Sequence, residues 1–227
     1  MRGFIAAAIG LLIVAAIAGL AMNAERILDR VAPFDLDRPP GLVTTLHLQL
    51  FRWKPQRCLA ALTRGGVDYR SVPPKELEYG CGYGGAVSLQ QSGVRYGSHI
   101  LLQCPAMAAL ILWERQVLGP AAERYGRKLT AVRHLGTYAC RNRNHERESR
   151  RSEHATANAI DVAGFTFTDG SSITIAKDWN DDGGKGRFLH EVRDGACRAF
   201  NVVLSPDYNA AHRGHFHFDM GRWVICR

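Results

Sequence analysis

The chain has 227 residues, of which 46% are hydrophobic, and its formal net charge is +8. This length and composition allow one domain with an ordinary hydrophobic core and a small appendage. The positive charge alone would suggest a nucleic-acid partner. The export segment described next argues against that class and favours a basic surface beside an anionic membrane or envelope polymer.

The first predicted element is an apolar helix near the N-terminus. Residues 3–22, GFIAAAIGLLIVAAIAGLAM, contain no charged side chain. A helix of this length, at about 1.5 Å per residue, matches a bilayer hydrocarbon core of roughly 30 Å. The run predicts a single membrane anchor within residues 1–24, and a cleaved signal peptide is the alternative. Both interpretations export the remainder of the chain, and an uncleaved anchor would hold the C-terminal domain at the outer face of the membrane.

A linker is predicted between this segment and the folded domain. Residues 32–42, APFDLDRPPGL, include three prolines and one glycine and are typical of a stiff spacer. We therefore divide the chain into an anchor at residues 1–24, a Pro-rich linker at residues 25–54 and a domain at residues 55–227.

The elements of the domain predict an α+β fold. A short helix around Cys58 and Leu62 is expected to end at Gly65. The clearest helix is CPAMAALILWERQVL, which Gly119 and Pro120 interrupt. The remaining patterns predict strands at residues 86–89, 99–103 and 129–140, a hairpin around residues 168–170, a helix at residues 188–200 and strands at the C-terminus. This mixture favours an antiparallel sheet core with flanking helices.

Six widely spaced cysteines follow the export segment. No two of them lie within four residues of one another, which argues against a Cys-based zinc finger. An even number of cysteines in an exported chain predicts disulfide bonds in an oxidising compartment. Their pairing stays open, because the sequence does not select among the alternatives.

The stretch HRGHFHFDM, residues 212–220, combines metal-binding side chains with apolar ones. Since side chains alternate between the two faces of a strand, His215, His217 and Asp219 are predicted to share one face. Phe216 and Phe218 then share the other face, which is expected to lie in the core. The pattern predicts a strand whose polar face lines a site.

A second stretch, SEHATANAIDVAGF, supplies His154 and Asp161. Seven positions separate them, and an odd separation on one strand would point them to opposite faces, so a turn must intervene. Asp161 lies between the apolar residues Ile160 and Val162. A buried carboxylate is costly without a partner, so a cation or hydrogen-bond donors are expected beside it.

These two stretches resemble the extensin-like C-terminal family of bacterial envelope proteins, over roughly residues 55–227. Their motifs are also similar to those of the peptidase group that contains lysostaphin, D-alanyl-D-alanine carboxypeptidases and penicillin-insensitive murein endopeptidases. That group has the motif Ser-x-His-x-x-Gly-x-Ala-x-Asp, and this chain matches it at Ser152, His154, Ala159 and Asp161. Ala157 stands where the wider group has glycine.

The resemblance implies a zinc site with His154, Asp161 and His217 as ligands and His215 as the nearby catalytic histidine. Two histidines, an aspartate and a water complete a tetrahedral catalytic site with an open position. One departure is Gly214, because carboxypeptidase-type members have a glutamate there as general base. The chain therefore sides with the His-x-His members, and the carboxypeptidase subtype is not favoured.

The remaining candidates have supporting roles. His212 and Asp219 are expected to orient an imidazole. Arg141 is a candidate for binding a substrate carboxylate, and Asn158 for lining the cleft. His215 is expected to act either as the general base or as a donor to the oxyanion.

The sequence therefore predicts a membrane-anchored periplasmic zinc metallopeptidase that hydrolyses peptide bonds of peptidoglycan, as an endopeptidase. The alternative is a catalytically silent module that binds peptidoglycan or another envelope partner on the same fold. The expected partners are peptidoglycan peptides and, through the N-terminal helix, the inner membrane; no nucleic acid is expected.

Overall fold

The computed structural model describes residues 2–227, apart from the side chains at positions 2–8, 16, 17, 20–22, 25 and 145. The chain forms two compact units, Met1–Phe34 and Asp35–Arg227. The first unit contains helix α1 (Arg2–Val31). Among the described residues, none of the helices is both long enough and apolar enough to cross a membrane. The anchor at residues 3–22 falls in part on side chains outside the described set, and it stays a prediction.

The second unit combines helices and strands, which confirms the predicted α+β class. The helices are α2 (Leu42–Phe51), α3 (Pro55–Arg64), α4 (Cys104–Trp113), α5 (Gly119–Arg124), α6 (Ile175–Asp178) and α7 (Gly184–Ala196). The strands are β1 (Asp68–Ser71), β2 (Lys75–Glu78), β3 (Cys81–Tyr83), β4 (Ala86–Gln91), β5 (Arg95–Tyr96), β6 (Leu101–Gln103), β7 (Leu129–Gly136), β8 (Ala159–Phe167), β9 (Ser172–Thr174), β10 (Val202–Leu204), β11 (Phe216–Asp219) and β12 (Ile225–Cys226).

Helix α2 lies within the stretch that the sequence analysis assigns to a linker. Its Leu48 and Phe51 side chains are buried, and the helix packs against α3 and α4. The compact unit begins at Asp35, upstream of the expected domain start at residue 55. The prolines at positions 39 and 40 lie before Gly41, the residue that caps α2, so their missing N–H groups remove no helical hydrogen bond.

The strands form three sheets. The largest has the order β12-β10-β11-β8-β7-β5, with β9 paired to β8, and the smaller ones are β1-β4-β6 and β2-β3. Most neighbours are antiparallel, as predicted, whereas the β10–β12 and β5–β7 pairs are parallel. The hairpin predicted around residues 168–170 is confirmed, since it joins β8 to β9.

Helix α4 supplies much of the core, because all of its residues are buried. The Trp113 ring at its end lies 5.3 Å from the Phe218 ring and 6.4 Å from the Phe165 ring. The predicted interruption takes the form of a π-helical turn, Glu114–Leu118, which joins α4 to α5. A wider turn relieves the crowding that the Pro120 ring would cause against the preceding carbonyls of a regular helix.

Three disulfide bonds pair all six cysteines, as the even count predicts. The pairs are Cys58–Cys104, Cys81–Cys140 and Cys197–Cys226. The first ties α3 to α4, and the third ties the end of α7 to β12. Each bond joins segments that are distant in sequence, so all three restrict the unfolded chain.

Replacing Cys81 and Cys140 together by alanine is expected to lower the free energy of unfolding by about 4 kcal/mol, because the bond spans 59 positions. The Cys197 and Cys226 pair spans 29 positions, so its removal should cost about 0.6 kcal/mol less. Urea unfolding followed by circular dichroism measures both losses. Unchanged unfolding midpoints in both double variants would contradict this account.

Candidate metal centre

Three side chains converge on one buried point. His154 Nε2, Asp161 Oδ1 and His217 Nδ1 form a triangle with sides of 3.1, 2.9 and 3.2 Å. Ligands about 2.0–2.1 Å from a tetrahedral zinc ion would lie about 3.3–3.4 Å from one another. The triangle therefore has nearly the size of one face of such a tetrahedron. This buried group could hold a metal ion.

The register between β8 and β11 brings two of the donors together. Asp161 on β8 lies directly opposite His217 on β11, and Phe218 lies opposite Ile160. Because successive side chains alternate between faces, the two polar residues point to one side and Phe218 to the other. Phe216 and Phe218 are fully buried, which confirms the predicted apolar face.

A 3₁₀ turn, Glu153–Thr156, brings His154 to the same place. The Ser152 hydroxyl caps this turn by accepting a hydrogen bond from the His154 N–H at 3.4 Å. Ala157 ends the turn with a φ of +54°, in the left-handed region, before the chain enters β8. The intervening turn predicted from the odd spacing is thus confirmed. The left-handed backbone also explains why glycine suits this position, since alanine is strained there by about 1 kcal/mol.

Each imidazole is oriented by a hydrogen bond at the ring nitrogen that points away from the cluster. His154 Nδ1 lies 3.0 Å from the Thr137 carbonyl oxygen, and His217 Nε2 lies 2.9 Å from Asp219 Oδ2. When each of these nitrogens donates its N–H to its partner, His154 Nε2 and His217 Nδ1 present lone pairs to the site. Asp219 was expected in this role. The contribution of Thr137 could not be predicted from the sequence, because every residue type has a backbone carbonyl.

The electrostatics of the cluster favour positive charge beside the Asp161 carboxylate. Burial would raise the pKa of Asp161, but hydrogen bonds from His154 and His217 outweigh it and hold that pKa well below its usual range. Burial would lower the pKa of His217, but its hydrogen bonds to Asp161 and Asp219 raise that pKa to about 9. A proton and a divalent cation therefore compete for the same imidazole.

His215 lies just before β11 and faces the same centre. Its Nε2 is 3.7 Å from Asp161 Oδ1, and it lies outside the three-residue metal group. Burial lowers the pKa of this half-buried imidazole. His215 also lines the cleft that opens beside the cluster. His215 therefore lies beside the three donors without being one of them.

The other candidate residues divide into two groups. His212 and Arg141 line the cleft. The Arg141 guanidinium lies 3.5 Å from Asp161 Oδ2. Burial, together with the neighbouring histidines, lowers the pKa of His212 to about 4, and its Nδ1 lies 2.8 Å from Asn209 Oδ1. Asn158 instead braces the 3₁₀ turn, because its amide donates to the Glu153 carboxylate at 2.6 Å.

The cleft has further lining residues that the sequence analysis did not single out. They are Arg143, Asn144, Glu153, Val202, Leu204, Tyr208, Trp223 and Ile225. Arg143 lies within an arginine-rich loop, where residue type alone does not distinguish it from its neighbours. Trp223 lies in the short segment between β11 and β12, where the pattern indicated only a strand.

A family model described as "Extensin-like protein C-terminus" matches residues 56–227. The chain belongs to the extensin-like C-terminal family. The match covers the whole metal centre and its cleft, together with all three disulfide bonds of the extensin-like domain. Searches among curated proteins and among solved structures found no match to the chain.

The Asp219 carboxylate offers a direct test of how the extensin-like centre is built. Oδ2 pairs with His217 Nε2 at 2.9 Å, and Oδ1 accepts from the Gly221 N–H at 2.7 Å. Asparagine has one acceptor oxygen, so Asp219→Asn should weaken the binding of a divalent metal ion by about 10–100-fold. Competition with a chromophoric chelator measures the affinity. Asp194→Asn is the matched control because the Asp194 side chain is 65% exposed. Equal affinities in the two variants would contradict the assigned role.

Proposed function

We propose that the extensin-like domain is a zinc-dependent peptidase that hydrolyses peptide bonds of peptidoglycan as an endopeptidase. The observation that carries the proposal is the buried triangle of His154, Asp161 and His217, with His215 beside it at the cleft. A structural metal site is normally closed by four protein ligands, whereas a catalytic one keeps a position open. Three donors next to a cleft fit the catalytic type.

The donor set suits zinc. Two imidazole nitrogens and one carboxylate oxygen are ligands that Zn²⁺ commonly takes at catalytic sites, and their spacing fits a tetrahedron. Hard cations such as Ca²⁺ and Mg²⁺ prefer oxygen ligands alone. The same motif order occurs in the lysostaphin and carboxypeptidase group that the sequence resembles, which supports the choice.

The residues of the chain have distinct tasks in this proposal. Zinc held by His154, Asp161 and His217 would supply a Lewis acid for a peptide carbonyl and for a water molecule. The Nε2 atom of His215 either takes a proton from the attacking water or donates a hydrogen bond to the oxyanion. Arg141 holds a carboxylate of the substrate in the cleft. Thr137 and Asp219 keep the imidazole rings in place, so little reorganisation is needed during the reaction.

The expected compartment supports peptidoglycan as the substrate. The three disulfide bonds are stable only where thiols are oxidised, and the uncharged run at residues 3–22 would export the chain. A net charge of +8 suits a surface that works beside an anionic wall or membrane. We therefore place the domain in the periplasm, held at the inner membrane by residues 1–24.

Fusion of alkaline phosphatase to the C-terminus tests this location. The fusion should be active, because the enzyme folds only after export, and deletion of residues 1–24 should abolish its activity. The intact mass of the purified protein then separates an uncleaved anchor from a removed signal peptide. An inactive full-length fusion would contradict the periplasmic assignment.

Incubation of the zinc-loaded full-length protein with purified sacculi tests the activity. Cross-linked muropeptides should decrease and their monomeric products increase, and a chelator should stop the change. Mass spectrometry of the products identifies the bond that is cut. An unchanged muropeptide profile with zinc bound would contradict the peptidase and support the alternative, a catalytically silent module that binds peptidoglycan.

Two histidine variants separate metal binding from catalysis. His217→Ala should abolish zinc loading, since it removes one donor of three, whereas His215→Gln should retain zinc but lose turnover by at least about 100-fold. His99→Ala is the control, because His99 is exposed and lies outside the cluster. Equal loss of zinc in the His215 and His217 variants would refute this division of roles.

A further inference from the structure

The cleft beside the metal centre carries two aromatic side chains that the chemistry described above does not use. Trp223 is 62% exposed and Tyr208 is 45% exposed, although both line the same cleft as His215. The Tyr208 ring lies 5.6 Å from the His212 ring, which in turn lies 5.3 Å from the His215 ring. Large solvent-exposed aromatic rings this close to a candidate active centre indicate a binding surface.

The Trp223 segment is held rigidly despite its exposure. Gly221, two residues earlier, donates its N–H to Asp219 Oδ1 at 2.7 Å and accepts a hydrogen bond from the Asn201 amide at 2.6 Å. Three residues after Trp223, Cys226 is bonded to Cys197. An aromatic residue on a fixed segment loses little conformational entropy on binding. The segment is also tied to Asp219, the residue that orients His217.

Arg143 brings a positive charge to the same cleft. Among the side chains that the structure describes, none forms an ion pair with its guanidinium. Its loop is nevertheless ordered by internal hydrogen bonds: Asn142 donates to the carbonyls of Glu146 and Arg147, and the Ser149 hydroxyl donates to the Arg143 carbonyl. An arginine on an ordered loop, with no ion-pair partner among the described side chains, is suited to a carboxylate ligand.

We propose that this part of the cleft is a glycan subsite. The proposal rests on the proposed function and narrows its substrate to peptides still attached to the sugar strand. Trp223 and Tyr208 stack on sugar rings, and Arg143 pairs with a carboxylate of the peptide that the sugar carries.

A sugar ring fits this lining better than an aliphatic side chain does. Its C–H face suits an indole, while its hydroxyl groups can hydrogen-bond to the Glu153 carboxylate at the cleft. An aliphatic group placed there would desolvate that carboxylate without offering it a hydrogen bond. The same cleft is also lined by the aliphatic side chains of Val202, Leu204 and Ile225. A lining that is apolar and charged at once suits an amphipathic ring with an attached anion.

Binding of three soluble probes to the full-length protein tests the subsite. The probes are a disaccharide-tetrapeptide from digested peptidoglycan, the same tetrapeptide without sugar, and the peptide-free disaccharide. Calorimetry should show the disaccharide-tetrapeptide binding about tenfold more tightly than the free tetrapeptide. Trp223→Ala should remove that advantage, and Trp223→Phe should retain most of it. Trp53→Ala is the matched control, because Trp53 is 79% exposed but outside the cleft lining.

Arg143→Gln should weaken binding of both peptide-bearing probes by about three- to fivefold and leave the peptide-free disaccharide unaffected. Arg147 lies on the same loop but outside the cleft lining, so Arg147→Gln should leave the affinity for all three probes unchanged. Equal affinity of the wild-type protein for the tetrapeptide with and without sugar would overturn the subsite. The same effect in the Trp223 and Trp53 variants would also overturn it.

The failure of the subsite and the failure of the peptidase can be told apart. Sugar-dependent binding does not require turnover, so the calorimetry is repeated with chelated protein. Sugar-dependent binding without cleavage of sacculi would support the subsite and overturn the peptidase. Cleavage of sacculi without sugar-dependent binding would support the peptidase and overturn the subsite.

Discussion

The antiparallel pairing of β8 with β11 is the constraint on which the candidate site depends. It sets Asp161 opposite His217, two residues that are 56 positions apart in sequence. A shift of one residue in either strand would turn that strand's polar face into the core. Phe216 and Phe218 prevent such a shift, because both are fully buried on the opposite face and Phe218 packs against Trp113. The core packing of one face of β11 therefore fixes the position of the site residues on its other face.

The centre is built around one buried carboxylate. Asp161 is approached by the imidazoles of His154, His215 and His217, and by the guanidinium of Arg141. Burying a charge is expensive unless it is paired, so this concentration of donors is what makes the position tolerable. The Thr137 carbonyl and the Asp219 carboxylate fix two of the rings from behind. A divalent ion placed among the three donors would also neutralise the Asp161 carboxylate. For this reason we propose a metal centre rather than a static hydrogen-bond network.

The cleft is connected to this centre through covalent and hydrogen-bonded ties rather than through loose loops. Cys140 precedes Arg141 and is bonded to Cys81, so the arginine-bearing loop starts from a fixed point. On the other side, Gly221 joins Asp219 to the Trp223 segment. Substrate recognition and ligand orientation therefore share structural supports in the proposed enzyme. Rigid supports of this kind suit a site whose reacting groups must be held in place before the substrate arrives.

The sequence by itself determined the α+β class, the disulfide-bonded state, the alternation around His217 and the need for a turn between His154 and Asp161. These features depend on local periodicity, composition and parity, which are readable along the chain. Only the tertiary structure decided which cysteines pair, that α2 packs into the domain, that the Thr137 carbonyl holds His154, and that Arg143 and Trp223 meet at one cleft. Those features arise from contacts between distant segments, which local periodicity and spacing do not reveal. The convergence of His217 with His154 and Asp161 was expected only because their motifs resemble those of a known family.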